Sequence, residues 1–283
     1  MIDLDDGSTM KDDKMIETKI LIGGIADGEE VSAFLNGLSR EKDKCFDDYI
    51  VLYIDFLGMQ ELMNSESDYD ALQIIRFLIR NAKRTTKAME KVNRIGDFSI
   101  KYFSDNIVIA QKVDQEKIGD QIVSILNMAF SLQFWSLVQF GFMMRGGITV
   151  GKMHIDNDIV WGTGLVESYS IESNIAIYPR IVVSEKVVDL YDKNKNHTLN
   201  LHAFLRRDFD GVLFVDYLIA CPNLAVIPQI SESLKEKFQP YKNKSDRIKQ
   251  KINWTIRYFN DYCSKYSSRD YRGEYSDSKL EYL

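Results

Sequence analysis

The chain has 283 residues, of which 45% are hydrophobic and 12% aromatic, with only four prolines; this composition is typical of a folded globular protein, not of a disordered one. Its formal net charge of −6 gives no overall attraction to nucleic acid or to an anionic membrane surface. The cysteines, Cys45, Cys221 and Cys263, are far apart and odd in number, so neither a disulfide framework nor a paired-cysteine metal site is predicted. The first residues, MIDLDDGSTMKDDK, lack the features of a signal peptide, and we expect a cytoplasmic protein.

Three elements are predicted in the first half of the chain. Residues 49–58 are rich in β-branched and aromatic side chains and indicate a buried strand that ends in a turn at Gly58. Residues 67–92 show apolar side chains at helical spacing, and the basic residues between them indicate a solvated helix face. Residues 98–110 read as a hairpin with Asp105 at its tip.

The second half continues the alternation of helices and strands. A long apolar helix is predicted from about residue 118 to 140, followed by a strand at 142–151, a helix at 161–176 and a strand at 180–184. A last strand is predicted at residues 211–218. Elements of these lengths indicate an α/β sandwich with a mixed sheet and helices packed on it.

The apolar stretch at residues 122–142 raises the question of a membrane helix. Polar residues interrupt it, namely Ser124, Asn127, Ser131, Gln133, Ser136 and Gln139. A helix that is apolar on nearly all faces is usually buried inside a protein, so we expect it to lie between a sheet and another body, such as a second subunit. We predict no membrane partner.

Three regions are predicted along the chain. Residues 1–44 form an N-terminal extension that holds a short strand at 18–22, residues 45–222 form the core domain, and residues 223–283 form a C-terminal helical extension. Within this extension, helix is predicted at 231–266, and the tail from Ser267 is polar and expected to be loose.

Two carboxylates stand out because each ends a strand rich in apolar residues. Asp55 precedes the turn at Gly58, and a hard cation is a common partner for a carboxylate in such a place; alternatively, Asp55 caps the next helix. Asp105 alone is an ordinary turn aspartate. If the two strands are neighbours, however, the carboxylates converge and can hold a pair of Mg²⁺ or Mn²⁺ ions that align an attacking oxygen with a phosphorus atom.

Backbone and arginine donors could bind phosphate beside these acids. Gly58 allows the backbone to approach a phosphate closely, and the N–H groups of Phe56, Leu57 and Gly58 are potential donors. Arg145, which precedes two glycines in MRGGITVG, offers a fixed charge for phosphate oxygens. The alternative for Arg145 is an ordinary surface arginine.

The order of motifs resembles the catalytic domain of class III nucleotidyl cyclases. The motifs are DFLG, then KYFSD, MRGGITVG, WGTG at the start of a helix, and PRIVVS, and the resemblance covers about residues 49–217. It implies an α+β, ferredoxin-like sandwich and a homodimer with active sites at the subunit interface. It also implies two divalent metal ions, Mg²⁺ or Mn²⁺, held by Asp55, Asp105 and the carbonyl of Phe56, with Arg145 on the phosphates and Lys101 reading the base.

Two differences from the purine cyclases of that family narrow the expected class of substrate. Where purine cyclases carry an asparagine and a transition-state arginine, this chain has Val166 and Ser170. The local sequence at WGTGLVESYSIES, IYPRIVVS and RRDFDGVLFVDYL is similar instead to that of the pyrimidine cyclases of bacterial Pycsar antiphage systems. Those enzymes make cyclic UMP or cyclic CMP to activate a separate effector protein.

The residue that replaces the missing arginine is left open by the sequence. Arg180, Arg206 and Arg207 are the candidates, while Tyr169 or Glu172 could face the substrate from the helix after WGTG. The choice between uracil and cytosine also stays open. The alternatives to a pyrimidine cyclase are a purine cyclase and an inactive domain that binds a nucleotide or a partner.

Overall fold

The computed structural model describes residues 46–58, 68–93, 98–194, 200–220, 224–267 and 276–283. Residues Phe46–Leu283 cluster as one compact unit. The predicted N-terminal extension, its strand at residues 18–22, Cys45 and Cys221 lie outside the described residues. The boundary between a core domain and a C-terminal extension at residue 222 remains a prediction.

A mixed sheet forms the centre of this unit, as predicted. The strands are β1 (Asp47–Leu57), β2 (Phe98–Phe103), β3 (Asn106–Lys112), β4 (Met143–Ile155), β5 (Val160–Trp161), β6 (Ile181–Val183), β7 (Leu205–Arg207) and β8 (Leu213–Val215). Their order is β2-β3-β1-β4-β6-β8-β7, with β5 paired to β4 off this path. β4 and β6 run parallel, whereas the other described pairs are antiparallel.

Six α-helices are described around the sheet. They are α1 (Asp68–Asn93), α2 (Ile118–Trp135), α3 (Thr163–Asn174), α4 (Glu185–Lys193), α5 (Ile227–Phe238) and α6 (Asp246–Ser267), and a π-helical turn at Ser136–Phe140 extends α2. Sheet and helices together give the predicted α+β sandwich. The sequence prediction missed α4 and the short strand β7, and it extended the last strand beyond Val215.

The two faces of the sheet are covered by different helices. Alternate residues of β1 from Ile50 to Phe56 pack into the main core with α1 and α2. Asp55 belongs to the other alternating set, and α3 lies across β1 and β4. A Cβ atom on Gly147 of β4 would lie only 2.5 Å from the Ser168 carbonyl oxygen. Glycine at this position therefore lets α3 lie close against the strand.

The long apolar helix is largely covered by its own chain, as expected of a helix between the sheet and another body. By length and composition the segment Ile118–Phe140 could cross a membrane, but 72% of its most apolar window is buried in the structure. Its residues divide between the main core and a second core that includes Phe134 and Leu137. Burial within the chain therefore accounts for the apolar character of α2.

The C-terminal helices build the second core. Trp254 and Tyr258 of α6 pack with Phe214 of β8. The final described segment, predicted to be loose, is bound to α6: the backbone N–H of Leu280 donates to the side-chain oxygen of Asn260 at 2.7 Å, and the Leu280 side chain is buried. The expectation of a loose tail is wrong for residues 276–283, because apolar side chains in this polar segment return to the core.

Arg180 lies at the centre of a buried ionic network that ties β6 to α6. Its guanidinium is fully buried and binds Asp208 and also Asp210, at 2.6 Å from Nη2 to Oδ2. Asp208 in turn accepts hydrogen bonds from Trp254 Nε1 at 2.7 Å and from Arg257 Nη2 at 2.6 Å. Because these carboxylates already occupy the Arg180 guanidinium, this residue is not available to replace the missing arginine.

We expect Arg180→Met to destabilise the fold by about 1.5–3 kcal/mol, because the largely buried Asp208 and the partly exposed Asp210 each lose a charged hydrogen-bond partner. Arg207→Met is the matched control. Arg207 is exposed and donates to the Gly211 carbonyl at 2.6 Å, so its loss should cost about 1 kcal/mol or less. Urea unfolding of both variants measures the difference, and equal losses would contradict the assignment.

Candidate active site

Three neighbouring strands align the residues that the sequence singled out. Asp55 of β1 lies opposite Asn106 of β3 and opposite Arg145 of β4 in the strand registers. Asp105, immediately before Asn106, accepts a hydrogen bond through its carbonyl from the N–H of Phe56 at 3.1 Å. The structure thus brings Asp55, Asp105 and Arg145 together at one edge of the sheet.

A short hydrogen-bond relay orients the Asp105 carboxylate. The turn that carries it has Ser104 at φ 54°, a conformation that few side chains adopt. Asn106 Nδ2 donates to Asp105 Oδ1 at 3.0 Å, and the Tyr53 hydroxyl donates to Asn106 Oδ1 at 2.8 Å. Tyr53 and Asn106 were not assigned a role from the sequence, although Tyr53 lies two residues before Asp55 and so shares its face of the strand.

Arg145 lies between two carboxylates. Its Nε donates to Asp55 Oδ2 at 2.9 Å and lies 2.6 Å from Glu172 Oε1 of α3. The Asp55 side chain is 15% exposed and that of Glu172 only 3%. Arg145 and Asp55 therefore reach solvent, whereas Glu172 is almost completely buried beside them.

The carboxyl groups of Asp55 and Glu172 both have a raised pKa. Burial raises the pKa of Glu172 to about 7; the nearby Arg145 charge opposes this rise, and the Asp55 charge adds to it. Burial also raises the pKa of Asp55, while its bond to Arg145 lowers it and the Asp105 charge raises it again. Glu172 Oε1 accepts no hydrogen bond within the described residues despite its contact with Arg145. Arg145 alone therefore does not satisfy the hydrogen-bonding capacity of the two carboxyl groups.

Two tyrosines border the cluster. Burial, followed by the charges of Glu172 and Asp55, raises the pKa of Tyr53 to about 12, so its hydroxyl remains a neutral donor. The ring of Tyr169 packs edge-on against Tyr53 with 5.5 Å between ring centroids and is half exposed. Tyr169, predicted to face the substrate, therefore lies beside the carboxylates.

The turn after β1 corrects one expectation about phosphate donors. The N–H of Phe56 was expected to be free for an anion, but it donates to the Asp105 carbonyl instead. Gly58 is exposed and has φ 88°, with nothing near the position of a Cβ. Leu57 packs its side chain against the second core. Among the described residues, none therefore crowds the Cβ position of Gly58.

Two predicted binding residues lie outside the cluster. The Lys101 ammonium donates to the carbonyls of Asp156 and Asn157 at 2.6 and 3.1 Å. Arg206 lies on β7, three strands beyond β4, where its Nη2 donates to Asp261 at 2.8 Å. Within the chain, neither side chain is directed to Asp55.

The donor atoms at the sheet edge fit a hard divalent cation. Among the residues that the structure describes, no group of three or more His, Cys, Asp and Glu side chains is arranged to hold a metal ion. Asp55 and Asp105, with the backbone carbonyl of Phe56, remain the predicted ligands. Carboxylate and carbonyl oxygens suit Mg²⁺, and Mg²⁺ commonly takes one or two carboxylates and completes its shell with water and substrate phosphates.

Sequence comparisons find no matching family model and no matching curated protein. Solved structures with related folds include the guanylyl cyclase domain of a fusion protein from the fungus Blastocladiella emersonii, at 12% identity and a TM-score of 0.43, covering 60% of this chain and 95% of that one. An adenylate/guanylate cyclase/hydrolase from Silicibacter pomeroyi, at 16% identity and a TM-score of 0.39, has the same coverage. A bacterial light-regulated adenylyl cyclase, at 11% identity and a TM-score of 0.41, covers 84% of this chain and 74% of that one.

The buried Glu172 makes the stability of the metal-free protein depend on pH. Between the ordinary pKa of 4.5 and the folded pKa of about 7, the folded protein keeps a proton that the unfolded chain has released. The free energy of unfolding should therefore fall as pH rises through this window, by roughly 3 kcal/mol at most. Glu172→Gln cannot ionise and should lack this part of the decline. Urea unfolding at pH 5 and pH 8 in the presence of a chelator checks it, and parallel curves for the two proteins would refute it.

Proposed function

We propose that the chain is a metal-dependent nucleotidyl cyclase that converts a nucleoside triphosphate into a 3′,5′-cyclic nucleotide and pyrophosphate. One observation carries the proposal: Asp55, Asp105 and Arg145, which are far apart in sequence, meet at one sheet edge. Two carboxylates beside an arginine provide ligands for divalent cations and a charge for phosphate oxygens. The motif order of the class III cyclases agrees with this arrangement.

The reaction forms a bond between the ribose 3′-oxygen and the α-phosphorus. It breaks the bond between the α-phosphorus and the oxygen that bridges the α- and β-phosphates. The hydroxyl proton leaves to solvent, and pyrophosphate is released. Two Mg²⁺ or Mn²⁺ ions held by Asp55, Asp105 and the Phe56 carbonyl would neutralise phosphate charge and acidify the hydroxyl. The oriented Asp105 carboxylate and the Asn106 relay keep the ligand geometry fixed.

Arg145 supplies the phosphate contact. Its Nε is engaged by Asp55, but no described acceptor binds its two terminal nitrogens. A guanidinium with both terminal nitrogens available can bind two phosphate oxygens at once. Asp55 therefore holds Arg145 in place while the outer part of the guanidinium faces the substrate.

We further propose a pyrimidine substrate, so that the products are cyclic UMP or cyclic CMP acting as a second messenger in antiphage defence through a separate effector protein. The support is the resemblance to the Pycsar cyclases and the absence of the purine-cyclase helix residues. Val166 is 66% exposed, and the Ser170 hydroxyl accepts from Asn174 at 3.2 Å. Neither side chain can replace an arginine at the transition state.

Two alternatives lead to different results. A purine cyclase would make cyclic AMP or cyclic GMP at the same carboxylates. An inactive domain would bind nucleotide without turnover; against it stands the cost of burying Asp55 and Glu172 together with raised pKa values, which a domain without metal chemistry has no reason to carry.

Incubation of the protein with equimolar ATP, GTP, CTP and UTP plus Mn²⁺ should yield a cyclic pyrimidine nucleotide, identified by its mass. A cyclic purine product would select the first alternative, and no product would select the second. Asp105→Ala should reduce the rate by about a thousandfold or more, since removal of a charge-stabilising group at a reacting phosphate has effects of that order. The control is Asp158→Ala, an exposed aspartate in the turn between β4 and β5, which should leave the rate unchanged.

We propose a homodimer with active sites at the interface, and α3 carries the surface that supports it. Val166 and Tyr169 are largely exposed, as are Trp161 before the helix and Ile177 after it, and apolar side chains grouped in this way mark contact surfaces. Val166→Glu should shift sedimentation from dimer to monomer and reduce activity together. Leu72→Glu, at an exposed apolar position of α1, should change neither, and a native protein that sediments as a monomer during turnover would exclude the proposal.

A further inference from the structure

Helix α6 reaches the candidate site from the C-terminal part of the chain. Thr255 Oγ1 of α6 lies 3.6 Å from the sulfur of Met143, the first residue of β4. Met143 and Arg145 are two residues apart on this strand, so their side chains leave the same face. The helix therefore lies against the strand face that carries Arg145.

One helical turn before Thr255, the same face of α6 presents Lys251. A turn of helix spans about 5.4 Å, and two residues of a strand span about 6.6 Å. Along the helix, Lys251 thus lies about as far from the contact between Thr255 and Met143 as Arg145 lies along the strand. Lys251 interacts electrostatically with Arg145, Asp55 and Glu172, so its side chain belongs to the same cluster of charges.

The electrostatics of Lys251 agree with that position. Its side chain is partly buried. Burial lowers the pKa of Lys251, and the positive charges of Arg145 and Arg247 lower it further, while Asp55 and Glu172 oppose the change. No described carboxylate forms an ion pair with its ammonium. Lys251 is therefore a cation near a second cation, and none of the described carboxylates is in direct contact with it.

Such an arrangement costs free energy unless an anion binds there. A partly desolvated ammonium beside a guanidinium is repelled at short range, and the two carboxylates are already shared with Arg145. A ligand with several negative oxygens would satisfy both cations at once. Of the three parts of a nucleoside triphosphate, only the polyphosphate has this chemistry.

We propose that Lys251 binds the triphosphate of the substrate together with Arg145. The C-terminal helix then contributes a cation that α3, with Val166 and Ser170, lacks. This inference rests on the proposed function for the identity of the substrate, but polyphosphate binding can be measured without turnover.

The test is calorimetric titration of the full chain with inorganic triphosphate in the presence of Mn²⁺. Lys251→Ala should bind roughly ten- to a hundredfold more weakly, the loss expected for one hydrogen bond between charged groups. Lys249→Ala is the matched control: Lys249 lies on the same helix two residues away, so its side chain points to a different side. Lys249→Ala should bind as the native protein does, and Lys251→Arg should retain part of the affinity.

A purely structural lysine would behave differently. Thermal unfolding without ligand should show Lys251→Met at least as stable as the native protein, because an unpaired, partly buried charge has been removed. A clear loss of stability in Lys251→Met, or native triphosphate affinity in Lys251→Ala, would overturn the proposal.

Turnover separates this inference from the proposed function. If a cyclic product forms, Lys251→Ala should raise KM by the same factor as the binding loss, and an unchanged KM would remove Lys251 from the site while leaving the cyclase intact. If no triphosphate is cyclised but triphosphate binding still depends on Lys251, the cyclase proposal fails and the polyphosphate site stands.

Discussion

The pairing register of β3, β1 and β4 fixes the chemistry of this edge of the sheet. A shift by one residue would turn Asp55 from the α3 face to the main core, where Ile54 and Phe56 now lie. The apolar core residues of β1 alternate with the residues that face α3. A shift in register would therefore disturb the packing on both faces of the strand. The meeting of Asp55 with Arg145 is therefore a consequence of core packing and does not depend on their mutual attraction.

The cluster is stable only as a balance of opposed charges. Burial raises the pKa of both Asp55 and Glu172, and one arginine within 3 Å of both cannot offset two ionised groups. Divalent ions would neutralise negative charge at Asp55. A polyphosphate would neutralise the positive charges of Arg145 and Lys251. With Lys251, the cluster brings two cations and two carboxylates into close range, so a metal ion and a polyphosphate would each find charges of opposite sign.

Local patterns in the sequence predicted much of this arrangement. The β-branched and aromatic residues at 49–58 predicted β1, and the turn residues around Asp105 predicted the hairpin, because both signals lie within a few neighbouring residues. The amphipathic spacing after PRIVVS was not recognised, so α4 was missed, and a three-residue strand such as β7 carries too little pattern to detect. Glu172 was considered from its helix position, whereas Lys251 lies 106 positions from Arg145 in the numbering, and only tertiary packing brings it near.

The same packing bears on where the catalytic unit ends. The Asp208 carboxylate binds Arg180 of the segment before β6 and also Trp254 and Arg257 of α6, so the C-terminal helix is fixed by buried charges and not merely laid on the surface. A boundary at residue 222 separates the strands that carry the carboxylates from the helix that carries Lys251. If Lys251 binds phosphate, the two parts form one functional unit, and removal of the C-terminal helices would impair the site as well as the fold.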